Sequence, residues 1–82
     1  MQTYQQTRES MCQRIRTLRK KERFTQMQMA QRLHISRRTY ANYERGVHAM
    51  PVEVLVIIAD TFGTSLDYLV GRTNIRLGEQ SI

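Results

Sequence analysis

The sequence predicts an all-α, compact five-helix domain, and three observations carry that prediction. Hydroxyl residues suited to capping helix N-termini stand at Ser10, Thr25, Ser36 and Ser65, the first two followed three positions on by Gln13 and Gln28. Gly46, Gly63 and Gly71 stand where helices should stop. Between these marks apolar residues recur three and four positions apart, and the single β-branched run has no second strand to pair with.

Residues 1–10 show no apolar period and are expected to form a flexible N-terminal arm. Ser10 with Gln13 then opens a first helix over residues 11–22, turning Ile15 and Leu18 inward with Met11 one turn earlier. Phe24 precedes the cap Thr25 and can staple onto the second helix, Gln26–Leu33. There Met29, Ala30 and Leu33 share one face, with Ala30 small where a crossing helix would come closest, while Met27 is left as partly exposed filler. His34 and Ile35 form a tight turn, Ser36 caps again, and a third helix covers residues 37–45 up to Gly46.

Pro51 suits the first turn of a fourth helix ending at Gly63. Its strand-like stretch, residues 52–59, is read as helical because Val52, Leu55, Val56, Ala59 and Phe62 recur at helical spacing as a core face. That leaves Val54, Ile57 and Thr61 as surplus on another side, which suggests contact with another protein and makes Val54 and Ile57 the candidates for a dimer interface. Ser65 caps a last helix that returns Leu66, Leu69 and Val70 to the core, so the domain is expected over residues 11–72. Residues 73–82 are either a disordered tail or a dimerisation arm.

The chain is basic, with net charge +6, and the charge is uneven. Residues 1–50 carry eleven Lys and Arg against three acids, whereas residues 51–82 carry two against four. Such asymmetry points to a polyanion bound on one side. A single cysteine, Cys12, cannot close an intrachain disulfide, and Cys12, His34 and His48 lack zinc-ligand spacing, so neither metal nor cofactor is expected. No apolar run approaches the ~20 residues that span a bilayer, and the polar start is unlike a secretory signal, so the expected location is the cytoplasm, away from membrane. Paired carboxylates, a phosphate-cradling glycine loop and a nucleophile–base arrangement are all missing from the sequence, which argues against an enzyme.

The third helix divides cleanly. With Arg37 at zero and ~100° per residue, Ala41, Arg45, Arg38 and Asn42 fall at roughly 40, 80, 100 and 140°. The opposite arc carries Thr39, Tyr40, Tyr43 and Glu44, whose rings suit a protein core. One face is therefore basic and amide-bearing. The B-DNA major groove admits one helix, in which arginine can give two parallel donors to guanine O6 and N7, and asparagine can pair with adenine N6 and N7.

These residues resemble the phage-repressor and Cro-like helix-turn-helix proteins, the XRE family. The likeness is carried by Gln26, Ala30, Ser36, the closing run of residues 43–46 and the later run of residues 59–72, and it spans most of the chain. It implies a lambda-repressor-like fold with the second and third helices as the motif. It also implies base contacts at Ser36, Arg37, Arg38 and Asn42, and a phosphate contact at Gln26; Arg32 and Arg45 are further phosphate candidates. By the same resemblance, Arg19 pairs with Glu44 and fixes the first helix to the third. Two departures stand out: His34 and Arg23 occupy positions where the family usually has glycine.

The expected function is a sequence-specific regulator of transcription, a repressor on double-stranded DNA. Because one helix reads only about four base pairs, a homodimer on a near-palindromic operator is expected. The alternative is a protein-interaction module, such as an antitoxin or anti-regulator, motivated by the surplus apolar side of the fourth helix.

Overall fold

A computed structural model describes residues 3–73 as five helices, α1 (Tyr4–Lys21), α2 (Gln26–Leu33), α3 (Arg37–Glu44), α4 (Val52–Phe62) and α5 (Leu66–Leu69), with no strand among the described residues. Helix α2 packs on α3, α1 crosses α3, α4 and α5, and α5 folds back on α4. The core between them holds Ile15 and Leu18 of α1, Met29, Ala30 and Leu33 of α2, Tyr40 of α3, Leu55, Ile58, Ala59 and Phe62 of α4, and Leu69 of α5. Phe24 closes it at one end, its ring edge-on to Phe62 with centroids 5.6 Å apart.

The local signals work as the chemistry requires. Thr25 accepts from the Gln28 amide at 3.0 Å while Gln28 Oε1 accepts from the Thr25 amide at 2.8 Å, a reciprocal capping box for α2. Ser36 and Ser65 cap α3 and α5 through the amides of Thr39 and Tyr68. Gly46, Gly63 and Gly71 all adopt positive φ, the left-handed conformation that glycine reaches without a Cβ penalty.

The amino end differs from the sequence expectation. Residues 4–10 are helical rather than an arm, because Thr3 and Gln6 form their own capping box three residues apart and α1 runs through Ser10 without interruption. A tertiary contact holds the added turns: Arg8 Nη1 donates to the Gly46 carbonyl at 3.1 Å, and the Arg8 guanidinium lies 4.8 Å from the centroid of the Tyr4 ring. The tail expected at residues 73–82 falls outside the described residues beyond Thr73.

Helix α4 is rotated relative to the expected face. Val52 and Val56 are 61% and 42% exposed, while Ile58 is fully buried and Val54 leans partly on the core. The core stripe is Leu55, Ile58, Ala59 and Phe62, the i, i+3, i+4, i+7 set, which excludes Val52 and Val56 and draws Val54 in beside Ile58. Of the two interface candidates, Ile57 stays exposed and Val54 does not. An unbroken apolar run fits several helical phases equally well, so contact with α1 and α5 decides the rotation. Leu66 is also exposed, at 37%, where the sequence places it in the core.

His34 and Arg23 take φ of 56° and 62°, so two non-glycine residues sit in the left-handed region, one at the end of α2 and one just past the end of α1. The strain at His34 falls at the turn that sets α3 against α2. Replacing His34 with glycine is expected to raise the unfolding free energy by about 0.5–1 kcal/mol, the Cβ penalty less glycine's greater freedom when unfolded. A urea unfolding midpoint compared with wild type measures it; an unchanged or lowered midpoint would show that the strain is no larger than glycine's entropic cost.

Candidate nucleic-acid interface

Helix α3 has one face fixed and one face free. On the fixed face Tyr40 is fully buried and Glu44 is 2% exposed. Glu44 takes Arg19 Nε on Oε2 at 2.6 Å and Arg19 Nη2 on Oε1 at 3.2 Å, a bidentate pair from α1 to the end of α3. Arg19 Nη1 also donates to the Phe24 carbonyl at 2.8 Å, tying in the α1–α2 connection. Gln26 Nε2 donates to Glu44 Oε1 at 3.2 Å, which adds the first turn of α2. Three helices therefore meet at one carboxylate, and the α1–α2 connection joins them through Arg19.

Burial alone would raise the Glu44 pKa, but hydrogen bonds from Arg19 and Gln26, and the Tyr40 hydroxyl nearby, reverse this and hold it below its ordinary value. Arg19 is affected in the complementary sense: burial disfavours its charge, and Glu44 more than restores it. The Tyr40 hydroxyl is buried beside the pair without reaching hydrogen-bonding geometry to either side chain, and burial pushes its pKa up. Cys12, also buried, donates its thiol to the Tyr43 carbonyl at 3.2 Å, and burial raises its pKa too; this is a packing residue of α1 against α3.

The free face turns Arg37 and Arg38 to solvent, and neither takes part in an ion pair among the described residues. They line a shallow concavity with Ala41, Asn42 and Arg45 of the α3 outer side, Gln26 at the start of α2, and Val47 beyond Gly46. The structure thus brings together five of the seven residues expected to contact nucleic acid. Ser36 and Arg32 lie outside that lining. Ser36 is committed to the cap of α3 and donates to Thr39 Oγ1 at 2.9 Å, and the Arg32 guanidinium stands 5.7 Å from the Phe24 ring centroid. Gln26 keeps a second amide hydrogen while the first serves Glu44.

Sequence reasoning passed over two contributors: Val47, an apolar member of the lining beside Ala41, and Arg8, which donates to the Gly46 carbonyl from α1. The connection of residues 46–50 is largely apolar and set Val47 apart by no local signal, and nothing local marked Arg8, whose partner is 38 positions away.

A short helix anchored on one side, with two unpaired arginines and an asparagine on the other, and a capped helix crossing behind it, defines a helix-turn-helix module. The helix-turn-helix family model matches residues 15–69, and the chain belongs to the XRE-type helix-turn-helix family. Relatives include the uncharacterized HTH-type transcriptional regulator YobD of Bacillus subtilis, 38% identical over 63 residues, a match covering 77% of this chain and 56% of that protein. The HTH-type transcriptional regulator AnsR of the same organism is 41% identical over 59 residues, covering 72% of this chain and 51% of AnsR. ImmR, another HTH-type transcriptional regulator of that organism, is 29% identical over 66 residues, covering 80% of this chain and 52% of ImmR. The chain spans about half the length of the curated relatives it matches. No solved structure matches it significantly. No helix among the described residues is long and apolar enough to cross a membrane.

Substituting Glu44 by alanine strands the buried Arg19 charge and is expected to cost about 3–5 kcal/mol, with Arg19→Ala similar and the double variant far less than their sum. The pH dependence has a defined sign. Because the folded-state pKa of Glu44 lies below its ordinary 4.5, its contribution is complete above that value and is lost as pH falls through the lower folded one. Urea titrations between neutral and acid pH should show wild type weakening below about pH 4.5 more steeply than Glu44→Gln; parallel curves would mean that the pair contributes nothing.

Proposed function

We propose that this chain is a sequence-specific DNA-binding regulator of transcription, a repressor that occupies a near-palindromic operator as a homodimer with α3 in the major groove. The observation that carries the reading is the outward face of α3, where Arg37 and Arg38, without an ion pair among the described residues, are grouped with Asn42, Gln26 and Arg45. Arg37 and Arg38 each present a planar fork suited to guanine O6 and N7, Asn42 one turn on suits adenine, and Ser36, whose hydroxyl caps α3, has a remaining lone pair for a base-edge donor. Gln26 at the start of α2, with Arg45 and Arg32, takes the phosphates and sets the register.

A single helix covers too few base pairs to find one site in a genome, so two copies bind half-sites about one helical turn, ~34 Å, apart. The exposed apolar side of α4, including Val52, Val56 and Ile57, supports self-association. The same side supports a second reading, an antitoxin-like interaction module, in which that face holds a different protein. Occupying a promoter is the simplest output of such a domain, hence a repressor.

Duplex binding measured across salt for wild type and Arg38→Ala tests the first reading. Wild type should lose affinity steeply as salt rises, and Arg38→Ala should lose about 1–3 kcal/mol of preference for its selected sequence over a scrambled one. Uniform weakening on all sequences would demote Arg38 to a phosphate contact. Sedimentation should find two chains per operator; one chain per operator would remove the dimer.

A further inference from the structure

Val47 is 51% exposed, and it stands in the wall of a concavity otherwise made by Gln26, Arg37, Arg38, Asn42 and Arg45, with Ala41 as its only apolar companion. It belongs to no part of the core. Its backbone is nevertheless held firmly. The Val47 amide donates to the Asn42 carbonyl at 2.9 Å, at the end of α3. The preceding Gly46 takes φ of 75°, and Arg8 of α1 donates to its carbonyl at 3.1 Å. These contacts fix the Val47 backbone, and with it the place of the isopropyl group, in a surface otherwise lined mostly by polar side chains.

An apolar group fixed in such a wall favours a ligand that is apolar at one point and polar around it. Among base edges in the major groove only thymine has that character, with its C5-methyl group beside the O4 acceptor. Ala41, at the centre of the outward face of α3 between Arg37 and Arg45, leaves room for a close approach. We propose that Val47, with Ala41 beside it, is a specificity-determining contact that reads a thymine methyl group. The proposal rests on the DNA-binding reading and deepens it, giving the site a preference that its arginines and asparagine do not supply.

The test uses the full chain and a duplex selected from a random pool. Each thymine in turn is replaced by deoxyuridine, which removes the methyl group and keeps every hydrogen-bonding atom. Wild type should lose roughly fourfold in affinity at one thymine per half-site, the effect of one methyl group returned to water. Val47→Ser, an exposed loop substitution whose fold is checked by its thermal unfolding, should bind the thymine and uracil duplexes equally at that position. Val47→Thr, which keeps one methyl, should retain part of the difference. Wild type indifferent to uracil at every position overturns the proposal, as does a uracil penalty that Val47→Ser leaves intact; in both cases DNA binding itself stands. Failure to select any duplex overturns the DNA reading and this proposal together.

Discussion

A carboxylate buried at the last turn of α3 holds this domain in register. Glu44 receives two hydrogen bonds from Arg19 and one from Gln26, while Arg19 also reaches the Phe24 carbonyl. Taking one charge into a core is costly, and taking two is tolerable only when geometry is good and the remaining donors are satisfied. Here the arrangement spends that cost on position: α1, the α1–α2 connection, α2 and α3 are all referred to one point. Since the outer face of α3 is defined by its inner face, the direction in which Arg37 and Arg38 point follows from where Glu44 and Tyr40 are seated.

The same logic explains what surrounds the pair. Tyr40 fills the core beneath α3, and Ala30 lets α2 approach it. Cys12 donates to the Tyr43 carbonyl, and Arg8 to the Gly46 carbonyl, so the first half of α1 braces the C-terminal end of α3 and the loop beyond it. Carbonyls at a helix C-terminus lack partners within the helix and favour such donors. The loop holding Val47 is thereby fixed to the same frame as the arginines.

Much of this was legible in the sequence because it is local. Caps at Thr25, Ser36 and Ser65, stops at Gly46 and Gly63, and the division of α3 into basic and aromatic arcs follow from neighbours within one or two turns. What stayed hidden depends on partners far along the chain. Residues 4–10 look polar and unstructured until Arg8 finds Gly46, and the two boxes Thr3–Gln6 and Ser10–Gln13 are equivalent as local signals. The apolar run of α4 fixes its helicity but not its rotation, so Val52 and Val56 were assigned inward and Ile58 was missed. Within the site, the members on α3 announced themselves by helical phase, whereas Val47 gains meaning only from the company it keeps.

The most direct measurement of the central idea, that the pinned helix offers its free face to base edges, is a nuclear magnetic resonance titration of the isotope-labelled chain with its selected duplex. The account predicts the largest shift changes at Arg37, Arg38, Ala41, Asn42 and Val47 and at the start of α2, exceeding any at the α4 residues Val52 and Val56, where pairing of two chains would act. Changes centred on α4 with α3 undisturbed would contradict it.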